Sequence, residues 1–255
     1  MRDRHNKAIP ILNRLHDHHR RTLQSSHFES LYLTDSAQRL VSINQWNGGE
    51  VPRFHLGLTV AGNAWRFRAD LPTALTSALT RLCKREPAPR DLRQTPLYAN
   101  DYVRLLRAHM PRIPITRRWH GPAFVVPSNP DPIPSGPIQI VAITRSNATL
   151  LSPLMADWLP DVPHRSPIIA ALGGNAAVAI CASVSITPGA HAAGVETVPA
   201  FRGRGLARRV VAAWAREVRR LGALPHYSTS WDDMASQRVA AAVGAAIYAA
   251  DFHLS

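Results

Sequence analysis

Between residues 206 and 221, apolar side chains return every three or four positions: Leu206, Val210, Val211, Trp214, Val218 and Leu221. This is the stripe of an amphipathic helix. Arg208, Arg209, Arg216, Arg219 and Arg220 fall largely off it, and Gly222 stands where such a helix stops. Upstream the period changes. Apolar runs at 168–172 and 178–186 flank Gly173-Gly174-Asn175 and predict a hairpin of core strands, and a further strand ends at Thr197. Downstream, 224–231 predicts a strand, and Ser230-x-x-Asp233 is a capping-box-like start for a second helix. That helix turns Ala235, Val239, Ala242 and Val243 inward and stops at Gly244, before a last apolar run at 245–248 that ends near residues 251–254.

The first half of the chain reads as helical with one hairpin. Residues 54–60 and 64–67 flank Gly62-Asn63, a tight-turn pair. Residues 71–85 and 100–110 carry helical spacing, with Asn100 as a candidate cap. Past them, 137–144 predicts a strand, and Ser152-Pro153 predicts the start of a short helix. Eight of the 21 prolines lie from Pro111 to Pro137, among them Pro127, Pro130, Pro132 and Pro134. Proline fixes φ and removes a donor, so this stretch predicts a connector between domains, with a long loop inside one domain as the alternative. The expected division is 1–114, a helical and hairpin region of unknown role, and 115–255, a second domain.

Composition changes this picture little. The net charge is +13, yet only Lys7 and Lys84 are lysine, so arginine supplies 28 of the 30 basic residues. Arginine with abundant alanine and proline is what a GC-rich coding bias yields, and no aromatic-plus-basic platform or helix-turn-helix pattern accompanies the charge. Nucleic acid is therefore not the expected partner. Two cysteines, Cys83 and Cys181, are too few for a disulfide framework and fit a reducing cytoplasm. No apolar run approaches the ~18 residues that a bilayer span needs. The residues after Met1 lack a signal-type apolar core. A soluble, cytoplasmic protein is expected, without membrane partners; a homodimer is compatible with the chain.

Candidate chemistry concentrates in Thr197-Val198-Pro199-Ala200-Phe201-Arg202-Gly203-Arg204-Gly205-Leu206-Ala207. A helix N-terminus has unpaired N–H groups and a partial positive charge, so it seats phosphate. Gly203 and Gly205 admit an anion close to the backbone and tolerate unusual φ. Arg202 and Arg204 add charge and forked donors.

Arg202-x-x-Gly205-x-Ala207 resembles the pyrophosphate-turn signature of the GNAT superfamily of acetyl-CoA-dependent N-acetyltransferases. Trp231-Asp232-Asp233-Met234-Ala235-Ser236, followed by Val239-Ala240 and Val243-Gly244, resembles the family's second signature, usually written with Asn at the place of Asp233. The specific likeness spans about 194–244, and the neighbouring residues are similar to those of an uncharacterised bacterial subgroup. The resemblance implies an α/β (α+β) fold: a mixed, mostly antiparallel sheet flanked by helices, here preceded by a helical element that contains the β-hairpin. It implies acetyl-CoA as acetyl donor, no metal, and a small amine or peptide amine as acceptor. Thr197, Val198, Arg202, Gly203, Arg204, Gly205, Leu206, Ala207, Asp233 and Ser236 would then hold the donor, with the strand end at Thr197 and Val198 supplying an N–H to the oxyanion.

Direct attack by a neutral amine needs a base, and the departing thiolate needs a proton. Glu196 is the one carboxylate in the strand beside the turn and the candidate base; an arginine-paired surface residue is the alternative reading. The tyrosine that many family members carry four residues before the closing glycine is Ala240 here. Tyr227 is the candidate acid, with Tyr248 and Ser230 as substitutes. Loss of that tyrosine also leaves open a non-catalytic acyl-CoA-binding or regulatory protein that keeps the turn. His16-Asp17-His18-His19 has metal-ligand residue types but no second cluster, so a solvated helix is expected. Cys181 reads as a buried small hydrophobe.

Overall fold

A computed structural model describes residues 17–127, 138–152 and 154–255, with side chains from residue 22 onward. His16 and the proline-rich stretch from 128 to 137 lie outside what is described there, as do the side chains of Asp17, His18 and His19. A helix α1 (Asp17–Leu31) leads into a two-stranded ribbon, β1 (Tyr32–Thr34) and β2 (Leu40–Ile43). The hairpin follows as β3 (Phe54–Thr59) and β4 (Gly62–Phe67), and then come α2 (Thr73–Arg85) and α3 (Ala99–His109). The chain continues through β5 (Arg118–Val125), β6 (Ile140–Ala142), two 3-10 turns (Arg145–Leu151 and Ala156–Asp161), β7 (Ile168–Gly173), β8 (Ala176–Ile186) and β9 (Ala190–Thr197). It closes with α4 (Leu206–Arg220), β10 (Leu224–Ser228), α5 (Met234–Ala242) and β11 (Ala246–Leu254).

Nine strands form one mixed sheet in the order β4-β3-β11-β5-β10-β9-β8-β7-β6. Within it β9 and β10 are the one parallel pair; the other neighbours are antiparallel. The strands β3 and β4 thus share a sheet with β6–β11, because β11 runs on to pair its far end with β3, from Ala250↔Leu58 to Leu254↔Phe54. Strand alternation sorts the faces. On β10, Tyr227 belongs to the core under α4, whereas His226 meets Ser26 of α1. α4 buries Val210, Val211, Trp214 and Val218 against β7 and β8, as its stripe demands. α2 and α3 cover the Phe54, Leu56, Leu58 and Phe252 side of β3 and β11. α1 and the 3-10 turns lie on the opposite face. No described helix is long and apolar enough to cross a membrane.

Several local expectations shift. The β3–β4 turn residues are Val60-Ala61, because Thr59 pairs with Gly62 and the Thr59 hydroxyl accepts from the Ala61 N–H (3.1 Å). Asn100 does not cap α3; Tyr98 holds that position, and Asn100 Oδ1 accepts from Arg118 instead (3.1 Å). Ser152 closes the first 3-10 turn rather than opening a helix, its N–H bonding the Thr149 carbonyl (3.1 Å). Asp233, not Ser230, caps α5. Ala235 is exposed on α5, while Ala240 and Val243 turn inward. Cys181 is fully buried in the core beneath α4.

Candidate active site

The site begins where two strands stop pairing. β9 and β10 are bonded only from Ala190↔Leu224 to Ala192↔His226. Beyond that, β10 turns to β5, with Tyr227 opposite Phe124, while β9 stays with β8 as far as Thr197. A cleft of about 590 Å³ opens between the diverging ends, walled by α4 and α5. The Leu224 N–H bonds the Gly189 carbonyl, and the Val198 N–H bonds the Val178 carbonyl (2.9 Å each). Strand alternation therefore directs the main-chain groups of Val195 and Thr197 into the splay. Val198 stands elsewhere: its N–H is engaged by Val178, and its side chain packs on an apolar cluster with Trp158.

The turn at the cleft mouth owes its shape to glycine. Gly203 and Gly205 have φ of +76° and +72°, a region that strains residues bearing a Cβ. Gly205 occupies the N-cap of the 15-residue α4, and open space lies where either Cβ would stand. Arg202 Nε donates to the Thr197 carbonyl (3.2 Å), which ties the turn to the strand end. Arg204 lies against the outside of the turn, its guanidinium 4.9 Å from the Phe201 ring centroid and bonded to the Ala200 carbonyl. Gly203, Gly205, Leu206, Ala207, Thr197 and Arg202 all line the cleft. The Thr197 hydroxyl oxygen is buried without a hydrogen-bond partner. An orphaned hydroxyl and an open glycine cradle at a helix N-terminus fit a ligand with an anionic end and a polar arm.

Across the cleft, Asp233 accepts from the Ser236 N–H (2.9 Å) and the Ser236 hydroxyl (2.7 Å). The Ser236 N–H first, and its hydroxyl second, hold the Asp233 carboxyl below its usual value. Both carboxylate oxygens are thus turned to the cap. Tyr227 is buried in the cleft floor, and burial pushes its phenol up to about 12 although the nearby Ser236 hydroxyl pulls the other way. It carries its proton at neutral pH. Tyr248 is on the other face, bonded to His226 (3.1 Å), and Ser230 makes a local turn by accepting from the Asp232 N–H; neither lines the cleft. Ala240 is fully buried in the same core cluster as Tyr227.

Glu196 is exposed at the end of β9 and lines the cleft. It is fixed not by an arginine but by the Trp158 indole N–H, which donates to Oε2 at 2.6 Å. Residue-by-residue reading of the sequence passed over Arg208 and Arg238, both on the cleft wall. The signal existed: Ala235, Arg238, Val239 and Ala242 keep i, i+3, i+4, i+7 spacing, which places all four on one face of α5, and all four line the cleft. Among the described residues, no group of three His, Cys, Asp or Glu side chains could hold a metal ion.

Residues 169–247, from β7 through the start of β11, match the model of the GNAT acetyltransferase family. The likeness to that family lies in this segment of the chain. The matched GNAT segment contains the splay, the glycine turn and both helices of the cleft. Solved structures with a related chain course include a GCN5-related N-acetyltransferase-like protein from Streptococcus suis, with 14% identity, 80% of this chain and 85% of that one covered, and a TM-score of 0.48. A putative GNAT-family acetyltransferase from Novosphingobium aromaticivorans shares 18% identity over 55% of this chain and 66% of its own, with a TM-score of 0.43. A GCN5-related N-acetyltransferase from Kribbella flavida shares 14% identity over 91% of this chain and 93% of its own, at 0.46. No curated protein matches the chain significantly.

Proposed function

We propose that the protein is an N-acetyltransferase that moves an acetyl group from acetyl-CoA to a primary amine by direct attack. The observation that carries this reading is the coincidence of three things at one cleft. These are a positive-φ glycine turn opening α4, strand edges with main-chain groups free to pair, and a carboxylate and a protonated phenol that line the same cleft. Acetyl-CoA, when bound, supplies a thioester carbonyl open to a neutral amine.

The chain's own groups divide the remaining work. Gly203, Gly205 and the first N–H groups of α4, with Arg202 and Arg208 on the cleft wall, hold a pyrophosphate. The Val195 and Thr197 main chain and the Thr197 hydroxyl pair with an amide-bearing arm, and the Thr197 N–H faces the position of an oxyanion. Glu196 takes the amine proton on Oε1, the oxygen Trp158 leaves free. Tyr227 keeps a proton for the departing sulfur, in place of the tyrosine that Ala240 replaces. Tyr227 and Ala240 share one packed cluster, so a small residue at 240 accompanies the large one at 227.

Thermal melting with and without acetyl-CoA tests this reading, alongside Arg202→Ala/Gly205→Glu. Ligand at 100 times its dissociation constant adds about 2.7 kcal/mol of stability. The wild-type midpoint should rise and the double variant's should not. Thiol release with a panel of amines then follows, and Glu196→Gln should slow it at neutral pH by about 10²- to 10⁴-fold with acetyl-CoA affinity kept. A midpoint that does not move at millimolar acetyl-CoA refutes the donor site. A shift without turnover on any amine leaves the non-catalytic acyl-CoA-binding reading in its place.

A further inference from the structure

Glu196 is the exposed residue near the end of β9, on a side chain with three rotors, and a base must be held where the amine arrives. The Trp158 indole supplies one restraint through a short, charge-assisted bond of 2.6 Å. Trp158 belongs to the 3-10 turn at 156–161 and lies over Gly194, where an added Cβ would sit 3.4 Å from its ring. The Arg165 guanidinium stands 5.4 Å from the centroid of that ring. Arg165 is in turn paired with Asp161 at 3.0 Å, and both side chains are largely shielded from solvent.

The next contact comes from far away in sequence. Trp46, in the segment between β2 and β3, donates its indole N–H to Asp161 Oδ1 at 2.7 Å. Its ring stacks on His164 with centroids 4.4 Å apart and planes at 14°. Two residues before it, Asn44 reaches the Ile186 carbonyl at the end of β8 (3.1 Å) and the Ser30 carbonyl in the last turn of α1 (3.0 Å). Trp46 nevertheless stays 47% exposed, so core burial does not account for its placement.

We propose that Trp46 is a positioning residue: through Asp161, Arg165 and Trp158 it sets the orientation of the Glu196 carboxylate. The region before residue 115 then acts on the cleft through these contacts, without lining it. This rests on Glu196 being the base, as read above. Removal of Trp46 takes one donor from Asp161 and the stacking partner from His164, which frees the Asp161–Arg165 pair to swing. Trp158 then loses the cation against its ring, and Glu196 regains its rotors.

The chain has six tryptophans, so its indole ¹⁵N–¹H spectrum has six side-chain signals, each assigned by a single Trp→Phe variant. The Trp158 signal should move in Glu196→Gln, which identifies the bond, and again in Trp46→Ala. The Trp214 signal, whose N–H donates to the buried Ser183 hydroxyl at 3.0 Å, should stay in both. A Trp158 signal that answers Glu196→Gln but ignores Trp46→Ala overturns the relay. In thiol release from acetyl-CoA, with the panel amine that turns over fastest, Trp46→Ala should lower kcat about tenfold with KM for acetyl-CoA unchanged. Trp46→Phe, which keeps the stack on His164, should recover part of that loss. An unchanged kcat in a merely less stable Trp46→Ala also overturns the proposal. If the wild type neither binds nor consumes acetyl-CoA, the reading of Glu196 as a base fails, while the spectra still decide whether Trp46 is coupled to it.

Discussion

The cleft and the seam between α1 and the sheet are both rich in charge, and they treat it in opposite ways. At the seam, Asp251 of β11 is buried between His27 of α1 (2.7 Å) and His55 of β3 (3.1 Å). Tyr32 bonds His55 Nδ1 (2.7 Å), and His226 lies between Ser26 and Tyr248 (3.1 Å each). The charged groups there are paired with one another inside the protein, although His27 Nδ1 and His253 Nδ1 are buried without a hydrogen-bond partner. In the cleft, the arginines and glycines of the turn are exposed, main-chain groups face a gap, and the Thr197 hydroxyl has no partner. Polar groups satisfied by one another hold a fold together, and polar groups left open in a formed cavity await a ligand.

The sharpest way to break that contrast is to remove one charge from each region. Asp251→Ala leaves two buried histidines without their carboxylate and should cost about 3–5 kcal/mol, read by urea unfolding. Arg202→Ala, on the surface, should change stability by no more than about 0.5 kcal/mol while abolishing the acetyl-CoA shift. Similar stability losses in the two variants would end the comparison.

Acid should find the seam before the cleft. Burial first, and then neighbouring His27 for one and His55 for the other, lowers His226 and His253 to about 3. Their unfolded values lie near 6.5. Between about pH 6.5 and 3 the unfolded chain therefore holds more protons, and stability falls as pH is lowered through that window. Burial would raise the Asp251 carboxyl, but His27 and His55 hold it well below its usual value. Its contribution is present above about pH 3.9 and is lost as pH falls further. Thermal midpoints across pH 3–7 for wild type and His226→Phe should show a shallower acid loss in the variant.

Two smaller effects sharpen the picture of the turn. Gly205→Ala forces a Cβ into a left-handed N-cap and should cost about 1–2 kcal/mol, with weaker acetyl-CoA binding by calorimetry. Asp233→Ala removes the α5 cap and should cost about 1 kcal/mol. A larger loss in acetyl-CoA affinity than in stability for Asp233→Ala would show that its carboxylate faces the ligand as well as Ser236.

Much of the site was legible because it is local. A glycine turn, the helix it opens and the stripe of that helix lie within about twenty consecutive residues, and α4 runs from Leu206 to Arg220 as its spacing requires. Strands β7 to β9 were legible too, since buried strands read as apolar runs. The misplaced caps at Asn100 and Ser230 show the limit: several Asn, Ser and Asp residues near a helix start offer equivalent acceptors, and packing chooses among them. For Asn100 the choice went to Arg118, which is not adjacent in the chain.

The residues alone determined the glycine turn, the helix it opens and the place of Glu196 in the strand just before it, because each depends on residues close together in the chain. Tertiary structure alone decided the rest. It joined β3 to β11 in one sheet, spent the Val198 N–H on Val178, put Tyr227 rather than Tyr248 in the cleft, and brought Trp46 to Asp161 across 115 residues of chain. It also turned histidines scattered from residue 27 to 253 into one buried network around Asp251. Such contacts have no sequence period, since they form only when separate elements close on each other and exclude water from the groups between them.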